Sequence, residues 1–185
     1  MLNDIKKDAQ MRMAKSIEAF RHDLVKVRTG RASTAMVDHI KVNYYGSDMP
    51  LSQVATVSVT DARSLTITPW ERPMVSAVEK AILNSDLGLT PNTAGTVIRL
   101  NIPPLTEERR RDLTKVVHST GEDSKVAIRN IRRDANHQVK ELLKDKQITE
   151  DEATRTEAEI QKITDDAIRG VDDVIKAKEV ELMAV

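Results

Sequence analysis

Residues 98–113 read Ile98-Arg99-Leu100-Asn101-Ile102-Pro103-Pro104-Leu105-Thr106-Glu107-Glu108-Arg109-Arg110-Arg111-Asp112-Leu113, and they change period in mid-course. Ile98, Leu100 and Ile102 alternate with polar neighbours, the step of a half-buried strand. Pro103 and Pro104 cannot belong to a helix interior. Thr106 is an N-cap type, and Glu107 and Glu108 would oppose the positive end of a helix dipole. Leu113, Val117, Thr120, Ser124, Ile128, Ile131, Ala135, Val139 and Leu142 then keep three- and four-residue steps, which predicts a helix from Thr106 to Lys144, about 60 Å long. The stripe weakens at Thr120, Gly121 and Ser124, where a bend or a close helix approach is expected.

Two further helices follow from the same period. Leu2, Ile5, Ala9, Met13, Ser16, Phe20, Leu24 and Val27 mark a first helix ending near Thr29, with Gly30 suited to terminate it. Thr149 and Glu152 have the spacing of a capping box and open a third, striped by Ala153, Thr156, Ile160, Ile163, Ala167, Val171, Val174, Lys178 and Leu182. Asp145-Lys146-Gln147-Ile148 is long enough only to reverse direction, so the second and third helices form an antiparallel hairpin. Each helix has one apolar face and is marginal alone. An elongated three-helix bundle buries all three faces.

Between Gly30 and Pro103 the period falls to two. Ile40, Val42 and Tyr44, then Ala55, Val57 and Val59, then Leu65 and Ile67, and last Ile98 to Ile102 read as strands. Tyr45-Gly46-Ser47-Asp48, Asp61-Ala62-Arg63 and Thr90-Pro91-Asn92 read as turns. Pro73 to Asn84 reads as a helix with Val75, Val78 and Ile82 on one side. The fold class is therefore α+β: a bundle from residues 1–30 and 105–185, with a small β/α/β domain, 31–104, inserted. The insertion leaves two adjacent linkers, 29–31 and 102–105. Gly30 and Arg31 supply freedom and Pro103 and Pro104 restrict it, giving a hinge or, alternatively, a rigid elbow.

Composition narrows the function. In 185 residues, 29 Lys and Arg balance 29 Asp and Glu, 39% of residues are hydrophobic and 31% charged, too apolar for a disordered chain. Aromatics make up 2%, against the rows of stacked rings that bind single-stranded bases. No run approaches a membrane span and the first residues lack the apolar core of a signal peptide, so a cytoplasmic protein without membrane contact is expected. With no cysteine there is neither a disulfide nor a thiolate nucleophile. His22, His39, His118 and His137 have no metal-ligand spacing, no phosphate loop or nucleophile motif is present, and Asp165-Asp166 and Asp172-Asp173 read as a solvated acidic face. An enzyme, a cofactor and a metal are therefore not expected.

The neutral total hides a polarity. Residues 1–30 hold seven basic against four acidic side chains, 105–146 eleven against eight, and 147–185 five against eleven. On the second helix Arg111, His118, Lys125, Arg129, Asn136 and Lys140 all lie within about 80° of Arg132. Only Asp134 offsets the run from Val126 to Asn136. Such a row can follow an RNA backbone through phosphate and shape, or it can be a solvated face with ion pairs along the helix.

Arg28-Thr29-Gly30-Arg31-Ala32-Ser33, Tyr44-Tyr45-Gly46, Ser85-Asp86-Leu87-Gly88, Ile102 to Arg110 and Ala127 to Asn136 together resemble bacterial ribosome recycling factor. The similarity runs in order from the first helix to the last. It implies an L-shaped molecule of roughly tRNA dimensions that binds the large subunit of the post-termination ribosome. With elongation factor G and GTP it would promote splitting into subunits. It also implies that Arg28, Arg31, Arg129, Arg132 and Arg133 meet 23S ribosomal RNA; the helical row adds Lys125. A monomer is expected. Thr34 stands where the resemblance leads one to expect proline. The rival is an interaction or chaperone module using its helices as protein-binding rods; Met36, Met49 and Met74 would then be an adaptable surface, although core filling is the commoner use of such methionines.

Overall fold

The computed structural model describes residues 1–25, 27 and 29–184. Along the chain run α1 (Leu2–Val25), β1 (Lys41–Tyr44), β2 (Ser47–Pro50), β3 (Ala55–Asp61), β4 (Ser64–Pro69), α2 (Val75–Leu83), β5 (Asn92–Ala94), β6 (Val97–Asn101), α3 (Glu107–Lys144) and α4 (Glu150–Met183). The chain is α+β and divides into two compact units, Met1–Arg28 with Thr106–Val185, and Thr29–Leu105.

The first unit packs α1, α3 and α4 along one another. At the head of α3, Thr106 Oγ1 accepts from the Arg109 N–H at 3.1 Å, answering one of the amides that every helix start leaves unpaired. At the head of α4 the capping box is complete: Thr149 Oγ1 accepts from the Glu152 N–H at 3.2 Å while Glu152 accepts from the Thr149 N–H at 2.8 Å. The reversal between them is closed by the Gln147 N–H on Leu142 O at 2.9 Å and the Lys146 N–H on Leu143 O at 3.0 Å. This pairing demands a left-handed residue, and Lys146 supplies it at φ 57°.

Three sequence expectations need correcting in this unit. α1 ends at Val25 and not near Thr29, because the Val27 N–H turns back onto Leu24 O at 3.0 Å in a tighter three-residue step. Gly30 is thus no helix cap. Its φ of 78° carries the chain past Leu105, whose Cγ would lie 3.2 Å from an added Cβ. In α3 the buried position is Gly121 and not Thr120, whose hydroxyl bonds Val116 O at 2.9 Å. Gly121 is where the helices come closest: a Cβ there would lie 2.5 Å from Ile175 Cδ1 on α4 and 3.3 Å from Phe20 Cζ on α1. In α4, Thr164 and Ile175 are buried where Ile163 and Val174 were expected. The Thr164 hydroxyl donates to Ile160 O at 2.8 Å, so a threonine can sit in the core without an orphaned polar group.

The second unit is an antiparallel sheet in the order β3-β4-β6-β5, with a β1-β2 hairpin and α2 beside it. Leu65 faces Leu100 and Ile67 faces Ile98 across the central ladder; with Val42, Val78 and Ile82 they are wholly buried. The sequence reading did not find β2 and β5 and placed Ser47, Asp48 and Asn92, where they begin, in turns, because three or four residues carry too little alternation to be seen without their ladder partners. It also took β3 as half-buried, yet β3 lies at the sheet edge and Val59 is 47% exposed. Asp61-Ala62-Arg63 ties down both linkers: Ala62 O accepts from the Ala32 N–H at 2.8 Å and Arg63 O from the Ile102 N–H at 2.8 Å.

Candidate nucleic-acid interface

The basic flank of α3 divides in two, and α4 makes the division. Towards its start, α4 carboxylates occupy the cations. Lys125 Nζ lies 2.6 Å from Asp172 and 3.3 Å from Glu122, with 14% of its side chain exposed. Its hydrogen bond to Asp172 is the main reason its pKa stands above the ordinary lysine value. His118 bonds Glu179, and Arg111 is held by Glu107 at 2.6 Å one turn back. Lys125 therefore braces α3 against α4, and of the expected RNA contacts it is the one whose ammonium already has two carboxylate partners.

From Arg129 onward the flank is open. Arg129, Arg132 and Arg133 enter no ion pair among the described residues. Opposite them α4 presents an amide in place of a carboxylate. Arg132 Nη1 donates to Gln161 Oε1 at 3.3 Å, and Gln161 Nε2 donates to Asp165 Oδ1 at 2.9 Å. The guanidinium is thus steered by a neutral group that Asp165 orients, and keeps its full charge. Arg133 Nη1 donates to Asn130 Oδ1 at 3.2 Å. Arg132, Arg133, Asn136, His137, Lys140 and Gln161 line a groove of about 500 Å³. Beside it the Asn136 amide oxygen is buried and has no hydrogen-bond partner among the described residues. A neutral amide beside guanidinium forks suits an oxygen-rich anion that also carries donors.

The remaining expected residues lie elsewhere. Arg28 is outside the described residues. Arg31 is exposed in the second unit, which also holds Gly30, Pro103 and Pro104, the residues expected to form a hinge. Gln161 was missed from sequence, although an uncharged residue four places before Asp165 in an acidic helix was a visible signal. Among the described residues no group of His, Asp and Glu is placed to hold a metal, and no helix is long and apolar enough to cross a membrane.

Fold and site together define a helical-rod protein with an unneutralised arginine groove and a separate small sheet unit. The model of the family "Ribosome recycling factor" matches residues 20–183. The ribosome-recycling factor of Xanthomonas campestris pv. campestris strain B100 is 66% identical over 185 residues, all of both chains, and that of Xanthomonas euvesicatoria pv. vesicatoria is 65% identical over the same span. A solution structure of a ribosome recycling factor superimposes with TM-score 0.76 at 43% identity, covering 100% of this chain and 98% of that one. A second match, at TM-score 0.64 and 46% identity with both chains fully covered, comes from models of the T. thermophilus ribosome recycling factor and E. coli elongation factor G bound to the E. coli post-termination complex. The chain belongs to the ribosome recycling factor family, a family of non-enzymatic translation factors.

Proposed function

We propose that this chain acts in the cytoplasm as a monomer that binds the post-termination ribosome on its large subunit and, with elongation factor G and GTP, promotes separation into subunits. Arg129, Arg132 and Arg133 bind 23S ribosomal RNA, joined by Arg28 and Arg31. The observation that carries this reading is the contrast along α3, where acidic partners neutralise the flank before Arg129 and, among the described residues, none does so from Arg129 on. Docking is then driven mainly by counterion release and weakens steeply with salt.

The bundle comprises residues 1–30 and 105–185, and the inserted domain 31–104 turns on two linkers. Support for a pivot comes from the carbonyls of Ala62 and Arg63, which anchor Ala32 and Ile102 on the small unit and leave about two residues free on each side, 30–31 and 103–104. When elongation factor G pushes the small domain, the stiff bundle transmits force to the subunit interface.

Arg132→Ala, with helix content confirmed by circular dichroism, tests the interface. Large-subunit binding at moderate salt should weaken about 10-fold and its salt slope fall by about one unit. Unchanged binding removes Arg132 from the mechanism.

A further inference from the structure

His118, Lys125 and Arg132 follow one another at seven-residue steps on α3, and Glu179, Asp172 and Asp165 descend at the same steps on α4. On two antiparallel helices such positions face one another in turn, as the rungs of a ladder. The first two rungs are closed: His118 bonds Glu179, and Lys125 Nζ lies 2.6 Å from Asp172. The third has its cation and its acid in register, yet among the described residues no ion pair joins Arg132 to Asp165.

Gln161 stands between them. It lies one turn before Asp165, accepts from Arg132 Nη1 on Oε1 at 3.3 Å and donates from Nε2 to Asp165 Oδ1 at 2.9 Å. A guanidinium only donates and a carboxylate only accepts, so the amide between them has a single orientation that satisfies both. Every group has its hydrogen bond, and the charge of Arg132 is not cancelled.

α3 itself brings no second acid to this place. Asp134, alone in the run from Val126 to Asn136, is held by Arg12 of α1 at 3.1 Å. The acid that register sets against Arg132 is therefore Asp165. Gln161 and Asp165 are exposed and Arg132 is half-buried, and a hydrogen bond at such a site contributes only modestly to stability. The consequence falls on binding instead. An arginine closed onto a carboxylate must be freed before it meets a phosphate, whereas one steered by a neutral amide keeps its charge and loses less freedom on docking.

We infer that Gln161 is a positioning residue for RNA binding: it holds Asp165 off Arg132, so that the third rung of the ladder stays open to a phosphate while the other two are closed. The inference rests on the proposed function in taking that phosphate to belong to RNA of the large subunit.

The test is co-sedimentation of the full chain with isolated large ribosomal subunits over a series of salt concentrations, each variant first checked by circular dichroism and its urea midpoint. Gln161→Ala should bind about threefold or more weakly, with a salt slope lower by up to about one unit, because Arg132 closes onto Asp165. Adding Asp165→Ala to it should restore the affinity to within about twofold of the wild-type chain, since no acid is left to capture the guanidinium. Adding Asp166→Ala instead removes the same charge one residue further on and should restore nothing. In an Arg132→Ala background Gln161→Ala should change nothing further. A rescue by Asp165→Ala alone is a result that neither lost packing nor general repulsion of RNA produces. Undiminished binding by Gln161→Ala, no rescue by Asp165→Ala, an equal rescue by Asp166→Ala, or a Gln161 effect that persists without Arg132 overturns the inference. With any of those results, weakened binding by Arg132→Ala leaves the proposed function standing, whereas Arg132→Ala that binds like the wild-type chain overturns the proposed RNA contact and this inference with it.

Discussion

Gly121→Ala puts the packing of the bundle to a quantitative test. In an exposed helix this change stabilises by about 1 kcal/mol, because alanine is the better helix former. Here the new methyl would lie 2.5 Å from Ile175 Cδ1, 3.0 Å from Ile175 Cγ1 and 3.3 Å from Phe20 Cζ. Ile175 and Phe20 are 5% and 2% exposed, so neither side chain can swing into solvent to make room. Overpacking of a closed site costs about 1–3 kcal/mol. The upper half of that range applies, since one contact is far inside van der Waals distance, and the net expectation is a loss of about 1–2 kcal/mol. Ile175→Val removes the Cδ1 that clashes. Alone it should cost about 1 kcal/mol, but in the double variant the added methyl fills the vacated space, and the two changes should offset each other by at least about 1 kcal/mol. The measurement is urea denaturation followed by far-UV circular dichroism, with the midpoint compared at constant slope. A more stable Gly121→Ala protein, or additive effects of the two changes, would refute the account of the helix junction. Gly170→Ala is the internal control: among the described residues its methyl meets only Ile17 Cδ1, at 3.2 Å, so the helix-propensity gain should survive in large part.

Other outcomes can be checked with the same melts. Thr34→Pro should stabilise the small unit by about 0.4–1 kcal/mol, because Thr34 opens a short helical turn and Ser33, at φ −145° and ψ 140°, already has the extended geometry a following proline demands; a lower midpoint would show that the Thr34 amide is needed. Lys146→Gly relieves a left-handed lysine worth about 1–2 kcal/mol while making the unfolded chain more flexible, for a net gain of about 0.5–1 kcal/mol in bundle stability; no gain would contradict the geometry of the reversal. Lys125 has its folded pKa raised by Asp172, so its contribution is complete below the unfolded lysine value of about 10.4 and is lost as pH climbs through the higher folded value. The stability gap between the wild-type chain and Lys125→Met should therefore be flat through neutral pH and close only in strongly alkaline solution; a gap closing near pH 7 would point to another group.

Local features were legible in the sequence. Thr106, Thr149 with Glu152 and the four-residue reversal from Asp145 to Ile148 are each a matter of three or four neighbouring residues, and each stands where the sequence placed it. The less legible features were those whose cause lies on another element. Residues 47–50 and 92–94 become strands only because a ladder partner holds them, and Val59 is exposed only because β3 ends the sheet. The core places of Gly121, Thr164 and Ile175 depend on how deeply α4 sits against its two neighbours.

The same distinction governs the interface. Period and composition determined by themselves that a long helix carries a cationic flank, because helical geometry converts spacing directly into facing. They left two outcomes open, a row of ion pairs or a row free to bind phosphate. Tertiary structure shows which of the cations are ion-paired, residue by residue. Glu179 reaches His118 from 61 positions away and Asp172 reaches Lys125, whereas 29 positions beyond Arg132 α4 offers the amide of Gln161. Which partner stands opposite which cation depends on the register of α4 against α3. That register is set by the whole packed surface between the helices and not by any local run of sequence.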